Sequence, residues 1–421
     1  MGTSAEIYEY EKILKGALKS LGKSPICEEN KALVESFSRY LFAQGLSPGR
    51  VIKYTIEARR LSEQLGKAWK DAGKDDVIEL VQKIEVRKDY TEYTKHDYKL
   101  TIKKFFKFLK KTEDYPEEVR WIKLTSKICN RKLPEELLTE DEVRRMAEAA
   151  RTQRDRALIL ALYESGCRIG ELLSLRIRNV RFDEYGAVLM VDGKTGMRRV
   201  RVIASAPSLA AWLNIHPLRD NLDAHVWVSL GTRSRDTLLT YTAIADLLRK
   251  ITRKAGIKKR VYPHLFRHSR ATHLANHLTE AQMKQYFGWV QGSDMASVYV
   301  HLSGRDVDNA LLKLNGMEVN EEAKEQAFKP LTCPRCKNRN SPDTKFCSTC
   351  GSCLDARTAV EIDGLREKAD MLMSELVKNP NVLNALLEGI DKLKNENKLL
   401  ESEIISNGYS PRAKKIQERQ D

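Results

Sequence analysis

Between Val180 and Ala204 the sequence "VRFDEYGAVLMVDGKTGMRRVRVIA" alternates and is rich in β-branched residues, with Gly193 and Gly196 at a turn. A period of two belongs to a β-hairpin or to part of a three-stranded sheet. On both sides of this stretch the period is helical. The chain is therefore read as mainly α with one small sheet, which agrees with 22 Gly and 12 Pro among 421 residues, roughly 8% where about 12% is average. At about 100–200 residues per domain, the length allows two to four domains, each able to bury its own core.

Upstream, apolar residues at Leu33, Phe37, Leu41 and Phe42 mark a helix that stops at Gly45, and Ser47-Pro48 fits an N-cap with Pro in the first turn of the next. The stretch "TKHDYKLTIKKFFKFLKK" sets Leu100, Phe105, Phe106 and Leu109 among lysines; from Val86 to Thr112 nine Lys/Arg face three acids. Such a stripe is either a solvated face or a phosphate-contact surface, and Lys95, Lys99, Lys103 and Lys107 are its candidate DNA-binding residues. The apolar period lapses over residues 115–133, a linker, and a second unit opens near Pro134. Thr139 followed by Glu142 is a capping box, and helices are expected over 138–151 and 154–165, then again from about Ser208 to Lys313.

Lys plus Arg total 73 against 58 Asp plus Glu, a formal charge of +15. That field draws polyanions, nucleic acid first and an anionic membrane surface second. The longest apolar run, Ala157–Tyr163, is far short of a bilayer span. Glu6, Glu9 and Glu11 stand where a signal peptide would be basic. A soluble, cytoplasmic protein is expected.

The chemistry-bearing residues lie dispersed through the second unit: "SGCRIGELLSL" with Arg168, "DGKTGMRRV" with Lys194, "YPHLFRHSRATHL" with His264 and Arg267, "YFGWV" with Trp289, and "ASVYVHLSG" with Tyr299. Singly, each has an ordinary structural explanation. Jointly, His264 and Arg267 share one face of a helix opened by Pro263 and can converge on one phosphate, while Lys194 at a hairpin tip can reach over a ligand.

In order and context these stretches resemble the tyrosine recombinase/integrase family, over roughly residues 27–316. "GWVQGSDMASVYVHLSG" looks closest to integrases of archaea and their mobile elements. The resemblance implies a SAM-like core-binding domain at 27–114 after a helical extension at 1–26, and an α+β catalytic domain at 134–317. It implies cleavage of double-stranded DNA by Tyr299 through a 3′-phosphotyrosyl intermediate, without metal or ATP, with strand exchange through a Holliday junction by a homo-oligomer, a tetramer on DNA. Arg168 and Arg267 then clamp the phosphate, His264 and Trp289 donate hydrogen bonds, and Lys194 protonates the leaving oxygen. Glu171 is read as a structural partner that orients the site. Trp289 replaces the family's commoner His; an indole N–H donates only, so proton transfer shifts to His264 and Lys194. Tyr286, Tyr262, His268, His273 and His301 are assigned structural or peripheral roles. The segment after Tyr299, "GRDVDNALLKLNG", is a candidate for the helix that family members dock into a neighbouring protomer. A type IB topoisomerase uses nearly the same set, but the compact core-binding region argues against it. A non-catalytic DNA-binding architectural protein is opposed by the intactness of all six positions.

Finally, Cys333-x2-Cys336 and Cys347-x2-Cys350, ten residues apart, have the spacing of a tetrahedral four-thiolate site. Structural zinc in a ribbon over 329–354 is expected, doing no catalysis. Lys337, Arg339 and Lys345 on the ribbon are compatible with phosphate contact, and Cys353 is spare. Residues 356–421 read as a helical tail with Leu365, Leu372, Leu376, Leu383, Leu386, Leu387, Ile390, Leu393 and Leu400, a stripe for a coiled coil between protomers or for packing on its own domain.

Overall fold

The computed structural model describes residues 6–124, 134–193, 196–232, 234–300, 311–312, 314–316, 328–389 and 391–392. Its two compact units are 1–331 with 339–344, and 332–338 with 345–421.

In the first unit, α1 (Tyr10–Gly22), α2 (Glu28–Ala43), α3 (Pro48–Leu65), α4 (Lys74–Glu85), α5 (Glu92–Lys110) and the single turn α6 (Glu117–Arg120) form a helical bundle. Phe37, Leu61, Trp69, Ile84, Ile102, Phe105 and Phe106 fill its core. Ser47 and Pro48 sit at the N-cap and N1 of α3 as expected, although the serine hydroxyl makes no cap bond. Trp69 is fixed at both polar ends, its Nε1 donating to Ser62 Oγ (2.7 Å) and its backbone N–H to Asn30 Oδ1 (3.0 Å). Two boundaries differ from the sequence reading. Leu21 and Ile26 join this core from the N-terminal side, and Val119 and Ile122 from within the expected linker. An apolar pair on one helical turn is too short a period to register as an element, yet it closes the end of the bundle.

The second hydrophobic core of this unit is built around α8 (Gln153–Ser165), whose residues 154–165 are nearly all buried. Before it runs α7 (Glu140–Ala149). The Thr139 hydroxyl accepts from the Glu142 N–H (3.2 Å) and the Glu142 carboxylate from the Thr139 N–H (2.9 Å), the expected capping box. After it come the short α9 (Ile169–Leu173) and an antiparallel sheet of β1 (Val180–Asp183), β2 (Gly186–Gly193) and β3 (Gly196–Val202) in that order. Ala187 pairs with Val202 and Gly193 with Gly196. Leu189, Val191, Val200 and Val202 face the core, as the alternation requires. Then follow α10 (Ala206–Asn214), α11 (Tyr241–Lys254), α12 (Pro263–Leu274), α13 (Glu280–Phe287) and α14 (Met295–Val300). Ile7, near the N-terminus, packs into this second core rather than the first.

In the second unit, α15 (Ala356–Val377) exposes Ile362, Leu365, Leu372 and Leu376. A break at Lys378-Asn379 precedes a further helical turn sequence from Pro380, with Leu383, Leu386 and Leu387 exposed. Ile390, Leu393 and Leu400 fall outside the described residues, as do most of "GRDVDNALLKLNG" and His301.

One buried carboxylate ties the sheet to α8. Glu164 accepts the backbone N–H groups of Ile203 (2.7 Å), Ala204 (2.9 Å) and Ser205 (2.8 Å) together with the Ser205 hydroxyl (2.7 Å). These orphan donors at the strand-to-α10 turn have no other partner of comparable strength. Glu164→Gln replaces an anion that accepts four bonds with a group whose NH2 must face donors. Loss of about 2–3 kcal/mol, seen as a fall of several degrees in the thermal unfolding midpoint, is the expected outcome.

Candidate active site and metal centre

Five of the six residues singled out for catalysis lie in described segments, and helix ends bring them together. Arg168 is the residue before α9, His264 and Arg267 occupy the first turns of α12, Trp289 follows α13, and Tyr299 is on α14. Lys194, which falls in sequence between β2 and β3, lies outside the described residues. Trp289 and Tyr299 stack with planes 2° apart and centroids 5.5 Å apart, and Phe287 also stacks on the indole, with centroids 4.9 Å apart. The Arg267 guanidinium stands over the Trp289 ring at 5.5 Å and over Phe287 at 5.1 Å.

Arg267 is only 2% exposed. Its Nη1 donates to Gly166 O (2.8 Å) and its Nη2 to Phe287 O (2.7 Å). Burial, with repulsion from Arg168 and Arg198, brings its pKa down to about 10, still well protonated at neutral pH. Arg168 is more open, with its side chain 32% exposed, and its Nη1 donates to Glu171 Oε1 at 2.8 Å. The Glu171 carboxylate also accepts the Arg168 backbone N–H (3.0 Å), so one carboxylate holds both the main chain and the guanidinium of Arg168 and fixes the arginine's direction. The orienting role assigned to Glu171 thus has a geometric basis.

Tyr299 is 4% exposed, and burial pushes its phenol up to about 12. Its Oη lies 2.6 Å from Nδ1 of His268. With the imidazole proton on Nε2, the phenol donates to Nδ1. His268 was assigned a structural role from sequence; its signal was its place four residues after His264, on one face of α12, and the two rings meet edge to face at 4.7 Å. The second residue sequence reasoning missed is Arg198 on β3, whose Nη2 donates to Glu171 Oε2 at 2.7 Å. Tyr286, expected in the core, packs there and donates from its hydroxyl to Glu164 O (2.9 Å). His273 lies 3.5 Å from Glu140.

The basic stripe on α5 is only partly where sequence placed it. Lys103 is corrected: it is 7% exposed, its Nζ donates to Ile122 O (3.0 Å), and it lies 4.4 Å over the Tyr115 ring, so it points into the bundle and cannot meet a phosphate. Lys99 is paired with Glu85 (2.7 Å) and Lys95 with Glu92 (3.0 Å). Lys107 and exposed Arg50 instead each lie close enough to Lys104 to act on it; burial first, and these two charges after it, lower the Lys104 pKa.

In the second unit the thiolate-bearing atoms of Cys333, Cys336, Cys347 and Cys350 all lie within 4.8 Å of one another. The closest sulfur pairs, Cys333–Cys350 and Cys336–Cys347, are each 3.5 Å apart. Tetrahedral bonds of about 2.3 Å set sulfurs roughly 3.8 Å apart, so the four donors fit one metal ion of that geometry.

Residues 136–305 match the phage integrase family. The chain is 28% identical over 291 residues to the tyrosine recombinase XerA of Pyrococcus furiosus, covering 68% of this chain and 95% of that protein. It is 29% identical over 187 residues to transposase A from transposon Tn554 of Staphylococcus aureus, covering 42% of this chain and 51% of that protein. Among solved structures, the post-cleavage complex of the XerH site-specific recombinase shares the fold, with a TM-score of 0.51 at 18% identity over 74% of this chain and 97% of that one. The Tn1549 transposon integrase in complex with transposon right end DNA does so with a TM-score of 0.52 at 14% identity, over 67% and 99%. The chain is an enzyme that breaks and rejoins DNA, and over this region it is similar to site-specific tyrosine recombinases.

Burial first, and the charges of Arg267 and Arg168 second, lower the His264 pKa. A lowered imidazole pKa keeps the ring neutral below the ordinary pH of about 6.5. In the DNA-free protein the His264 resonances, assigned through a His264→Gln variant, are expected to titrate at a pH below that value in an NMR titration; a midpoint at or above it would contradict the site described.

Proposed function

We propose that Tyr299 is the nucleophile of a recombinase that integrates a mobile element, and that the other gathered residues take the following parts. The observation that carries this is the convergence of Arg168, His264, Arg267 and Trp289 with a buried phenol already bonded to an imidazole. Tyr299 Oη attacks the phosphorus, the bond to the 5′ oxygen breaks, and the enzyme is left joined to a 3′ phosphate. The phenol proton passes to His268, and Lys194 on the hairpin turn gives a proton to the departing 5′ oxygen. Arg168 and Arg267 hold the nonbridging oxygens, where charge grows in the transition state, and His264 and Trp289 add donors. Since the phosphotyrosyl bond keeps the energy of the broken diester, the 5′ hydroxyl rejoins without ATP, and charge stabilisation by guanidinium groups takes the place of a catalytic metal.

Strand exchange between two duplexes requires four cleavages. With one nucleophile per chain, four protomers on double-stranded DNA supply them, passing through a Holliday junction. Arg50, Lys104 and Lys107 on the helical bundle, with Lys95 and Lys99 at its margin, track the phosphate backbone. The similarity to a transposase over the catalytic region supports the mobile-element reading, and the XerA likeness accords with an archaeal type. The work of such an enzyme lies on the nucleoid, in the cytoplasm; among the described residues no helix is long and apolar enough to cross a membrane.

Covalent capture tests this. The protein is incubated with fragmented genomic and element DNA, with and without EDTA, then denatured, and protein-linked ends are sequenced. Adducts at one or a few sequences are expected, absent in Tyr299→Phe and slowed about 10²-fold in His268→Ala. Adducts that persist in Tyr299→Phe would sink the assignment, and adducts scattered over many sequences would favour a topoisomerase.

The four cysteines are proposed to hold structural zinc. Four thiolates leave no open position for a substrate, so the ion folds the ribbon and takes no part in the chemistry. Elemental analysis is expected to find about one zinc per chain, lost in Cys347→Ser.

A further inference from the structure

Arg198 is a strand residue that turns inward. Its side chain is 9% exposed. Its Nη2 donates to Glu171 Oε2 (2.7 Å), its Nε to the Tyr286 carbonyl (3.0 Å), and its Nη2 also approaches Cys167 Sγ at 3.8 Å. Nη1 is buried without a hydrogen-bond partner. Two glycines make room for this group. A Cβ at Gly193 would lie 2.5 Å from Glu171 Oε1 and 3.2 Å from Arg198 Nη1; one at Gly288, where φ is +61°, would lie 2.9 Å from Arg198 Nη1. Neither neighbour can swing away, because each is pinned by the ion pair.

A buried ion pair is weak evidence for stability, and an unused buried donor is a cost. An apolar side chain of similar volume would fill the space with less penalty. What it could not do is balance Glu171. That carboxylate already bonds Arg168 through Nη1 and through the backbone N–H. Alone, Arg168 and Glu171 would form a closed pair of zero net charge. With Arg198 sharing the carboxylate, the three groups carry one net positive charge, and Arg168 is held in place without being neutralised.

We propose that Arg198 is a positioning residue for DNA cleavage: by taking up Oε2 of Glu171, it keeps the Arg168 guanidinium oriented and electrostatically free for the scissile phosphate. This rests on the reading of Arg168 as a phosphate clamp. Burial opposes Arg198's own charge, but the bond to Glu171 together with the charge interactions with Cys167, Glu171 and Tyr286 outweighs it, so its pKa is raised and it stays protonated through the working pH range.

The test compares single-turnover adduct formation on two versions of the cleavage site, one with the natural phosphodiester and one with a methylphosphonate at the scissile position. The methylphosphonate is neutral and has less need of a free guanidinium. Arg198→Met, which keeps much of the buried volume, is expected to slow cleavage of the natural site about 10²-fold, comparable to losing one oxyanion donor, and to change the neutral site only slightly. Arg198→Lys, which restores the charge but not the paired donors, should recover part of the loss. Equal losses on both substrates in a variant that still binds DNA would overturn the proposal, since a merely structural role cannot tell the substrates apart. If Arg198→Met fails to bind, Arg198→Lys carries the same comparison. Arg168→Ala is the control: if the neutral site does not rescue it, the clamp reading itself fails. If it does rescue Arg168→Ala but not the Arg198 variants, the inference fails alone.

Discussion

The site must hold positive charge in a confined space before any anion arrives. Arg168, Arg198 and Arg267 lie close enough to perturb one another, and Glu171 is the carboxylate that two of them share. Two like charges about 4 Å apart cost roughly 4 kcal/mol at an effective dielectric near 20. The protein offsets that repulsion with partial charges instead of more acids. Arg267 donates to the carbonyl of Gly166, at the end of α8, and to that of Phe287, at the end of α13. Carbonyls at helix C-termini lack intrahelical partners and carry the negative end of the helix dipole. They steady a guanidinium without cancelling its charge. A phosphate entering such a site relieves repulsion as it binds.

Tyr299, the proposed nucleophile, is kept under the opposite constraint. A phenol under stacked Trp289 and Phe287 is desolvated, which favours its neutral form and explains a pKa near 12. Arg267 pulls in the other direction, though burial outweighs it. The resting tyrosine is therefore a weak nucleophile with a proton acceptor already in place at His268. On the proposed mechanism, chemistry waits for a substrate whose phosphate draws the guanidinium groups and whose geometry brings Tyr299 into line.

What sequence revealed and what it hid follow from the range of the interactions. The Thr139–Glu142 box, the Ser47-Pro48 helix start and the hairpin at Gly193–Gly196 are set by neighbours within four residues, and all are found where the sequence puts them. The order of the site residues was legible because each sits in its own local context. Lys103 was misplaced because lysines at i, i+4 and i+8 lie along nearly one face of a helix and look alike in sequence, and only the Ile122 carbonyl and the Tyr115 ring, the former brought by a segment read as linker, show which one turns inward. Arg198 was invisible for a similar reason. Among "GMRRVRV" three arginines alternate along one strand or neighbour one another, and nothing local says that one of them meets Glu171, 27 positions earlier.

The same comparison separates the two kinds of charged residue in the catalytic region. Glu164 is surrounded by backbone donors at a turn, so its charge is consumed in closing the fold. Glu171 is surrounded by arginine side chains, so its charge is divided and a surplus of positive charge remains. Both carboxylates are buried to a similar degree, each 5% exposed. Burial alone therefore does not distinguish the residue that holds the scaffold from the one that tunes the site; the identity of the donors does. A carboxylate satisfied by amides is neutralised by dipoles that cannot leave. One satisfied by two guanidinium groups leaves a cation in surplus, and on the proposed reading it is that surplus, presented by partly exposed Arg168, that an incoming phosphate meets.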